Sequence, residues 1–157
     1  MESKTKSIRE KINKDQADTE DKNEKDWYLI NAKNKILGRL STQVAKILMG
    51  KEKTSFVRYL DKGDNLVIIN ASKIVVSGNK EEDKKYYRYS GYPSGLKVTN
   101  LATLREKKPE DIIYHAVSGM LPKNKLGKSM IKKLHVYPKE DHPHEAQEPK
   151  ELEVSDG

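Results

Sequence analysis

The chain has 157 residues, no cysteine and a formal net charge of +7 at pH 7. This length suits one domain, and the lack of cysteine excludes disulfide frameworks, cysteine-ligated zinc sites and thiol catalysis. No apolar run approaches the roughly 20 residues of a membrane span, and eight acids within residues 1–26 argue against a transit peptide, so we expect a soluble, cytoplasmic protein.

From the N-terminus, residues 1–26 combine seven basic and eight acidic side chains with few apolar ones, which predicts a charged, disordered extension. The folded domain is expected over residues 27–137. It opens with a predicted strand at Trp27–Asn31, followed by an amphipathic helix over residues 38–49 that Gly50 would end in a left-handed conformation.

The next segments predict strands. Leu66–Asn70 is a continuous apolar run, typical of a strand buried on both faces of a parallel sheet. Ile74–Val76 predicts a shorter β segment, and Tyr86–Ser90 predicts another strand. The loop that follows contains three turn-forming residues, Gly91, Pro93 and Gly95.

The remaining domain is predicted to be helical. Asn100–Lys107 is a modest helix candidate, and Pro109 suits the first position of a helix that ends near Met120. A further helix is predicted over residues 125–134. Strand, helix, strand and then helices indicate an α/β domain with a small, mostly parallel sheet. Residues 138–157, with seven acids, two lysines and three prolines, predict an acidic tail whose last part is mobile.

Positive charge is concentrated in residues 84–137, which hold twelve Lys or Arg against three acids, a net charge of +9. Because this exceeds the charge of the whole chain, we expect a polyanionic partner, and RNA is the partner that we favour over an ordinary solvated surface. At about 100° per residue, the 125–134 helix would place Lys125, Lys128 and Lys132 within about 60° of one another, opposite its apolar side.

A second RNA-binding pattern occurs in residues 84–92, where three basic side chains alternate with four tyrosines. Cations contact phosphates, and aromatic faces stack on splayed bases. As a strand, this segment would place Lys85, Tyr87 and Tyr89 on one face and Tyr86 and Arg88 on the other. The alternative is a strand whose tyrosines fill the edge of the core.

Other motifs give no enzymatic signal. His142 and His144 have the chemistry of metal ligands but lack further ligands at regular spacing, so we expect a surface segment or an RNA contact. Asp61 and Asp64 flank a glycine in a turn, where a structural role is expected. A nucleotide-binding enzyme would need a glycine-rich turn after the first strand, and that turn has one glycine, Gly38.

Several motifs, in this order and spacing, resemble the bacterial-type ribosomal protein L13 family of the large subunit over residues 27–152. They are Trp27-Tyr28, Leu37-Gly38-Arg39-Leu40, Gly50-Lys51-x-Lys53, Gly63-Asp64, Val67-Ile68-Ile69-Asn70-Ala71, Gly78-Asn79-Lys80, Gly119-Met120-Leu121-Pro122, Leu126-Gly127 through Leu134-x-Val136-Tyr137, and His142-x-His144-x-Ala146-Gln147. In two places the chain departs from the family. Arg58-Tyr59 stand where the family commonly has Pro-His, and Tyr89 replaces a histidine; both changes keep a hydrogen-bonding or stacking group, so the resemblance still implies RNA contact there but no role peculiar to imidazole.

The resemblance implies a three-layer α/β/α fold in a protein that binds large-subunit rRNA, acts early in subunit assembly and abuts neighbouring ribosomal proteins. It implies no enzymatic activity, cofactor, membrane or small-molecule substrate, and a location in the ribosome. A regulator that binds mRNA away from the ribosome stays open as an additional activity. Basic and tyrosine side chains are the predicted RNA contacts: Arg39, Lys51, Lys53, Lys80, Lys84, Lys85, Tyr87, Arg88, Tyr89, Lys123, Lys125, Lys128, Lys132 and Lys133.

Overall fold

A computed structural model of the chain describes residues 25–154, so most of the predicted N-terminal extension lies outside the described residues. The strands are β1 (Trp27–Asn31), β2 (Asn65–Ile69), β3 (Lys85–Tyr89), β4 (Leu96–Asn100), β5 (Leu134–Val136) and β6 (Lys150–Glu151). The α-helices are α1 (Leu37–Met49), α2 (Lys80–Asp83), α3 (Leu101–Lys107), α4 (Pro109–Met120) and α5 (Lys125–Ile131). None of these helices is both long and apolar enough to cross a membrane.

The strands form a four-stranded parallel sheet in the order β5-β2-β1-β6 and a separate antiparallel ribbon of β3 and β4. The steps from β1 to β2 and from β2 to β5 run in the same direction across the sheet. Right-handed crossovers therefore place the intervening helices on one face. The predicted α/β class with a small, mostly parallel sheet is confirmed.

The hydrophobic core lies between the helices and this face of the sheet. Alternating strand residues such as Ile30 and Ile68 are fully buried with α1 residues Leu40 and Val44 and with Val117 of α4. Burying each such side chain stabilises the fold by roughly 1.5–3 kcal/mol relative to leaving it exposed. As predicted, α1 ends at a left-handed Gly50 (φ 73°), whose N–H donates to the carbonyl of Ile47.

The chain crosses the opposite face of the sheet on its return from β5 to β6. Within the acidic tail predicted from residue 138, residues 138–154 follow the sheet as far as Val154, which is 2% exposed. β6 pairs with β1, and the N–H of Leu152 donates to the carbonyl of Leu29 at 2.9 Å. Two paired residues are too few for sequence periodicity to reveal such a strand.

Three predicted elements differ from the structure. The helix predicted over residues 125–134 ends at Ile131, and Leu134 begins β5 instead. Ile74–Val76 is not a strand, since Val75 makes a single parallel bridge to Ile36. Asn100 ends β4 rather than beginning a helix, because residues 96–100 pair with β3.

Candidate nucleic-acid interface

Helix α5 presents lysines on its exposed side. It begins where Asn124 caps it, the Asn124 side-chain oxygen accepting a 2.8 Å hydrogen bond from the N–H of Gly127. Only glycine fits at that position, because a Cβ on Gly127 would lie 1.8 Å from the carbonyl oxygen of Pro122. This close approach fixes the start of the helix against the preceding loop.

The two sides of α5 differ as predicted. Met130 is buried and Leu126 packs on the core, whereas the lysines on the other side are exposed. Lys123 in the preceding loop is also exposed and borders a shallow depression together with Lys128. We call Lys123, Lys125, Lys128 and Lys132 the α5 lysine surface. Within residues 25–154, none of these four makes an ion pair.

A groove beside the start of α1 brings together three predicted RNA contacts from distant segments. Arg39 from the first turn of α1 lines it with Lys80 and Lys84, which stand at the two ends of α2. The first turn of α1 contains no acidic residue, so the positive end of its dipole adds to the positive potential of the groove, whereas the residues of α2 between Lys80 and Lys84 are acidic. We call this feature the α1 groove.

The α1 groove and the α5 lysine surface are neighbours. Gly119 and Met120, at the end of α4, line the groove. Ser118 and Leu121, from the same stretch, line the depression bordered by Lys123 and Lys128. The end of α4 therefore separates two clusters of positive charge, both of which are open to solvent and suited to phosphates.

The β3–β4 ribbon places the predicted tyrosines as expected. Tyr87 and Tyr89 are exposed on one face, while Tyr86 on the other face packs against the core with its ring centroid 5.4 Å from that of His115. Burial, and secondarily the charge of Glu81, raises the pKa of Tyr86. Lys97 is not in the RNA-binding set predicted from the sequence, yet it lies on β4, opposite Arg88 of β3. The turn residues of the 91–95 loop could have indicated that the segment after them pairs with β3.

Lys133 is a predicted RNA contact that the structure places inside the protein. It is 8% exposed, and its Nζ donates to the carbonyls of Gly63 at 2.9 Å and Leu48 at 3.2 Å while pairing with Asp61. Burial lowers the pKa of Lys133, and the Asp61 carboxylate opposes that shift. The assignment of Lys133 to RNA is therefore corrected to an internal ion pair.

Lys53 is likewise engaged within the protein, by the carboxylate of Asp64. Asp64 is 4% exposed and also accepts a 3.0 Å hydrogen bond from the backbone N–H of Asp26. The structural role expected for Asp61 and Asp64 fits the structure, since Asp61 pairs with buried Lys133 and Asp64 with half-buried Lys53. Lys51, two residues before Lys53, is exposed and stays a predicted contact.

An aromatic cluster occupies the sheet face opposite the hydrophobic core. The ring of His135 stacks on Trp27 at a centroid distance of 5.6 Å, and His144 lies 4.5 Å from His135. The hydroxyl of Tyr137 contacts His144 Nε2 at 2.9 Å. His144 thus joins the C-terminal segment to the sheet and is half-buried. Within the described part of the chain, no group of three or more His, Asp or Glu is arranged to hold a metal.

This cluster predicts a pH dependence of stability. Burial lowers the pKa of His135 from its usual 6.5, and His144 lowers it further. His135 therefore binds a proton more readily in the unfolded chain than in the folded protein. We expect the stabilisation to be complete above about pH 6.5 and to decline as the pH falls towards the folded-state pKa. Urea unfolding between about pH 5 and 8 measures this decline.

The matched variant for this test is His135→Phe, which keeps a ring against Trp27 and removes the titrating group. Its free energy of unfolding should decline less steeply than that of the wild type over the same pH range. Equal slopes in the two proteins would show that His135 is not the source of the decline.

A sequence model of the family described as Ribosomal protein L13 matches residues 25–143. The chain belongs to the ribosomal protein L13 family. Relatives named Large ribosomal subunit protein uL13 include one from Psychrobacter arcticus, 57% identical over 129 residues, which are 82% of this chain and 91% of the relative. The protein from Thermoanaerobacter sp. is 53% identical over 128 residues (82% and 90%), and that from Geobacter sulfurreducens 52% over 130 residues (83% and 91%).

Membership of the L13 family confirms the resemblance found in the sequence motifs. It also confirms that the chain is not an enzyme, because this is a family of ribosomal proteins. The α5 lysine surface, the α1 groove and the β3–β4 ribbon all fall within the matched residues, whereas β6 and Val154 lie beyond them.

Proposed function

We propose that the chain is a structural component of the large ribosomal subunit and binds large-subunit rRNA. The observation that carries the proposal is the pair of adjoining cationic features, the α5 lysine surface and the α1 groove, beside the end of α4. The L13 relatives are named as proteins of the large ribosomal subunit, which supports the proposal.

The mechanism is charge neutralisation at fixed spacing. Lysine and arginine side chains release the counterions condensed on closely spaced phosphates. The buried α/β core holds the two cationic features in one relative position, so rRNA segments bound to each are held together. Such clamping suits a role early in subunit assembly, in the cytoplasm and beside neighbouring ribosomal proteins. It requires no cofactor and no small-molecule substrate.

The contacts proposed for RNA are the exposed members of the predicted set, together with half-buried Lys84 at the groove. They are Arg39, Lys51, Lys80, Lys84, Lys85, Tyr87, Arg88, Tyr89, Lys123, Lys125, Lys128 and Lys132. Lys53 and Lys133 are left out because each pairs with an internal carboxylate.

Sedimentation of cell lysate through sucrose gradients, in low and then high salt, tests the proposal. We expect the protein to sediment with the large subunit and to stay there after the high-salt wash, because many simultaneous phosphate contacts keep the overall affinity high even when salt weakens each of them. Protein that runs free of the subunit in low salt would contradict a structural role in the ribosome. Tracking a second protein of the same subunit provides the control for subunit integrity.

A further inference from the structure

The β3–β4 ribbon has an outer face that is apolar and aromatic. In the antiparallel register, Tyr87 lies opposite Val98 and Tyr89 lies opposite Leu96, so the four side chains share one face. Their exposed fractions are 67%, 49%, 64% and 55%, respectively. Exposed apolar residues gathered on one face, rather than scattered singly, mark an interaction surface.

The other face of the ribbon indicates the charge of the partner. Arg88 lies directly opposite Lys97, and both side chains are exposed. Like charges directly opposite each other destabilise an antiparallel pair. Residues 84–100 contain four basic side chains and no acid, so this segment holds no carboxylate to offset the repulsion. A polyanion that contacts the ribbon would offset it.

We propose that the outer face of the β3–β4 ribbon binds unpaired nucleotides of RNA, whose bases stack on Tyr87 and Tyr89. Arg88 and Lys97 then contact phosphates of the same strand at the edge of the ribbon. The inference rests on the proposed rRNA-binding function and adds the class of RNA that this surface takes. It assigns unpaired bases to the ribbon.

Unpaired bases fit this surface better than a duplex or an apolar protein. Bases in an A-form duplex are already stacked on one another, so their faces are not available to tyrosine. A purely apolar partner would leave the Arg88–Lys97 repulsion without an anion. Tyr92, which is 76% exposed in the connecting loop, offers a further ring at the tip of the ribbon.

The test compares the wild type with a Tyr87→Leu/Tyr89→Leu variant. The probes are a fluorescein-labelled single-stranded oligoadenylate and an RNA duplex of equal length, measured by fluorescence anisotropy across a salt series. Stacking contributes about 1–3 kcal/mol per base, so we expect the variant to bind the single strand about 10-fold more weakly or worse. Binding to the duplex should be unchanged, as should the salt slope for both probes, because no charge is lost.

A Tyr87→Phe/Tyr89→Phe variant separates stacking from other causes, since it keeps the rings and removes the hydroxyls. It should bind the single strand within about 2-fold of the wild type, well inside the loss expected from removing a stacking platform. Thermal unfolding of all three proteins shows whether the fold is intact, as is expected for substitutions at exposed positions.

Two results with the Leu variant would overturn the inference: binding of the single strand like the wild type, or an equal loss of binding to both probes. Two other results would also overturn it: single-strand binding by the Phe variant as weak as that by the Leu variant, or a wild type that binds only the duplex. In each case binding of the duplex by the wild type would leave the proposed function standing. A wild type that binds neither probe and does not sediment with the subunit would instead mark failure of the proposed function itself.

Discussion

Replacing Lys125, Lys128 and Lys132 with glutamate is expected to weaken binding to large-subunit rRNA by at least about 100-fold near 0.15 M salt. Each phosphate contact contributes about 0.7–0.9 to the slope of log affinity against log salt, so three contacts contribute roughly two to three. Between about 1 M and about 0.15 M salt, a slope of that size corresponds to about two orders of magnitude in affinity. The introduced carboxylates add repulsion from the phosphates. The fold should be intact because all three side chains are exposed.

The measurement is the salt dependence of rRNA binding for the triple variant and the wild type. A matched control carries the same number of reversals at Lys33, Lys73 and Lys139, which are exposed and lie outside the proposed contacts. The two variants have equal net charge, so a general loss of long-range attraction affects both. A salt slope in the α5 variant equal to that of the control would show that these lysines do not contact phosphates.

The elements that could be predicted from the sequence have a local pattern. The period of α1, the apolar run of β2 and the proline at the start of α4 each act within a few residues, and the structure has all three. The strands that sequence reasoning missed depend on distant partners. β4 is defined by β3, and β5 and β6 are defined by their pairing with β2 and β1.

The short strands illustrate the physical reason. Three residues of β5 and two of β6 contain too few alternations to show a period of two, and β5 directly follows a helix. Their stability comes from hydrogen bonds to strands that were already predicted. Topology alone then decides that the segment after β5 crosses the opposite face of the sheet and covers Trp27 and His135.

For the candidate site, the sequence identified the kind of side chain but not its surroundings. Lys132 and Lys133 are adjacent in the same basic stretch, yet one is exposed and the other is buried. α5 ends at Ile131, just before both lysines, and Lys133 then meets Asp61, a residue 72 positions earlier in the chain, whereas Lys132 stays exposed. Arg105 is similar, since its guanidinium holds Glu81 and the carbonyl of Ile74 rather than facing solvent.

This contrast predicts that two neighbouring substitutions have very different effects on the free energy of unfolding. Lys133→Ala is expected to lower the free energy of unfolding by about 3 kcal/mol, the lower end of what breaking a buried ion pair costs, because Asp61 is partly exposed. Lys132→Ala should leave the free energy of unfolding within about 0.5 kcal/mol of the wild type, as is usual for exposed positions. Urea denaturation of both variants measures the difference.

The large effect of Lys133→Ala follows from what its ammonium group joins. It donates to the carbonyl of Leu48 at the end of α1 and to that of Gly63 in the turn before β2. That turn approaches α1 so closely that a Cβ on Gly63 would lie 1.8 Å from the Leu48 carbonyl oxygen. Two carbonyls and the Asp61 carboxylate therefore converge on the Lys133 ammonium group. Among the described side chains, only Lys25 also reaches one of these groups, Asp61.

RNA binding provides the complementary measurement, made where both variants are folded. Lys132→Ala should reduce the salt slope by about 0.7–0.9, and Lys133→Ala should leave it unchanged. A reduced slope with full stability for Lys133→Ala would instead mean that this lysine turns outward to a phosphate. Because the two lysines share charge, length and sequence context, a difference between them in these two assays arises from where the fold places each ammonium group.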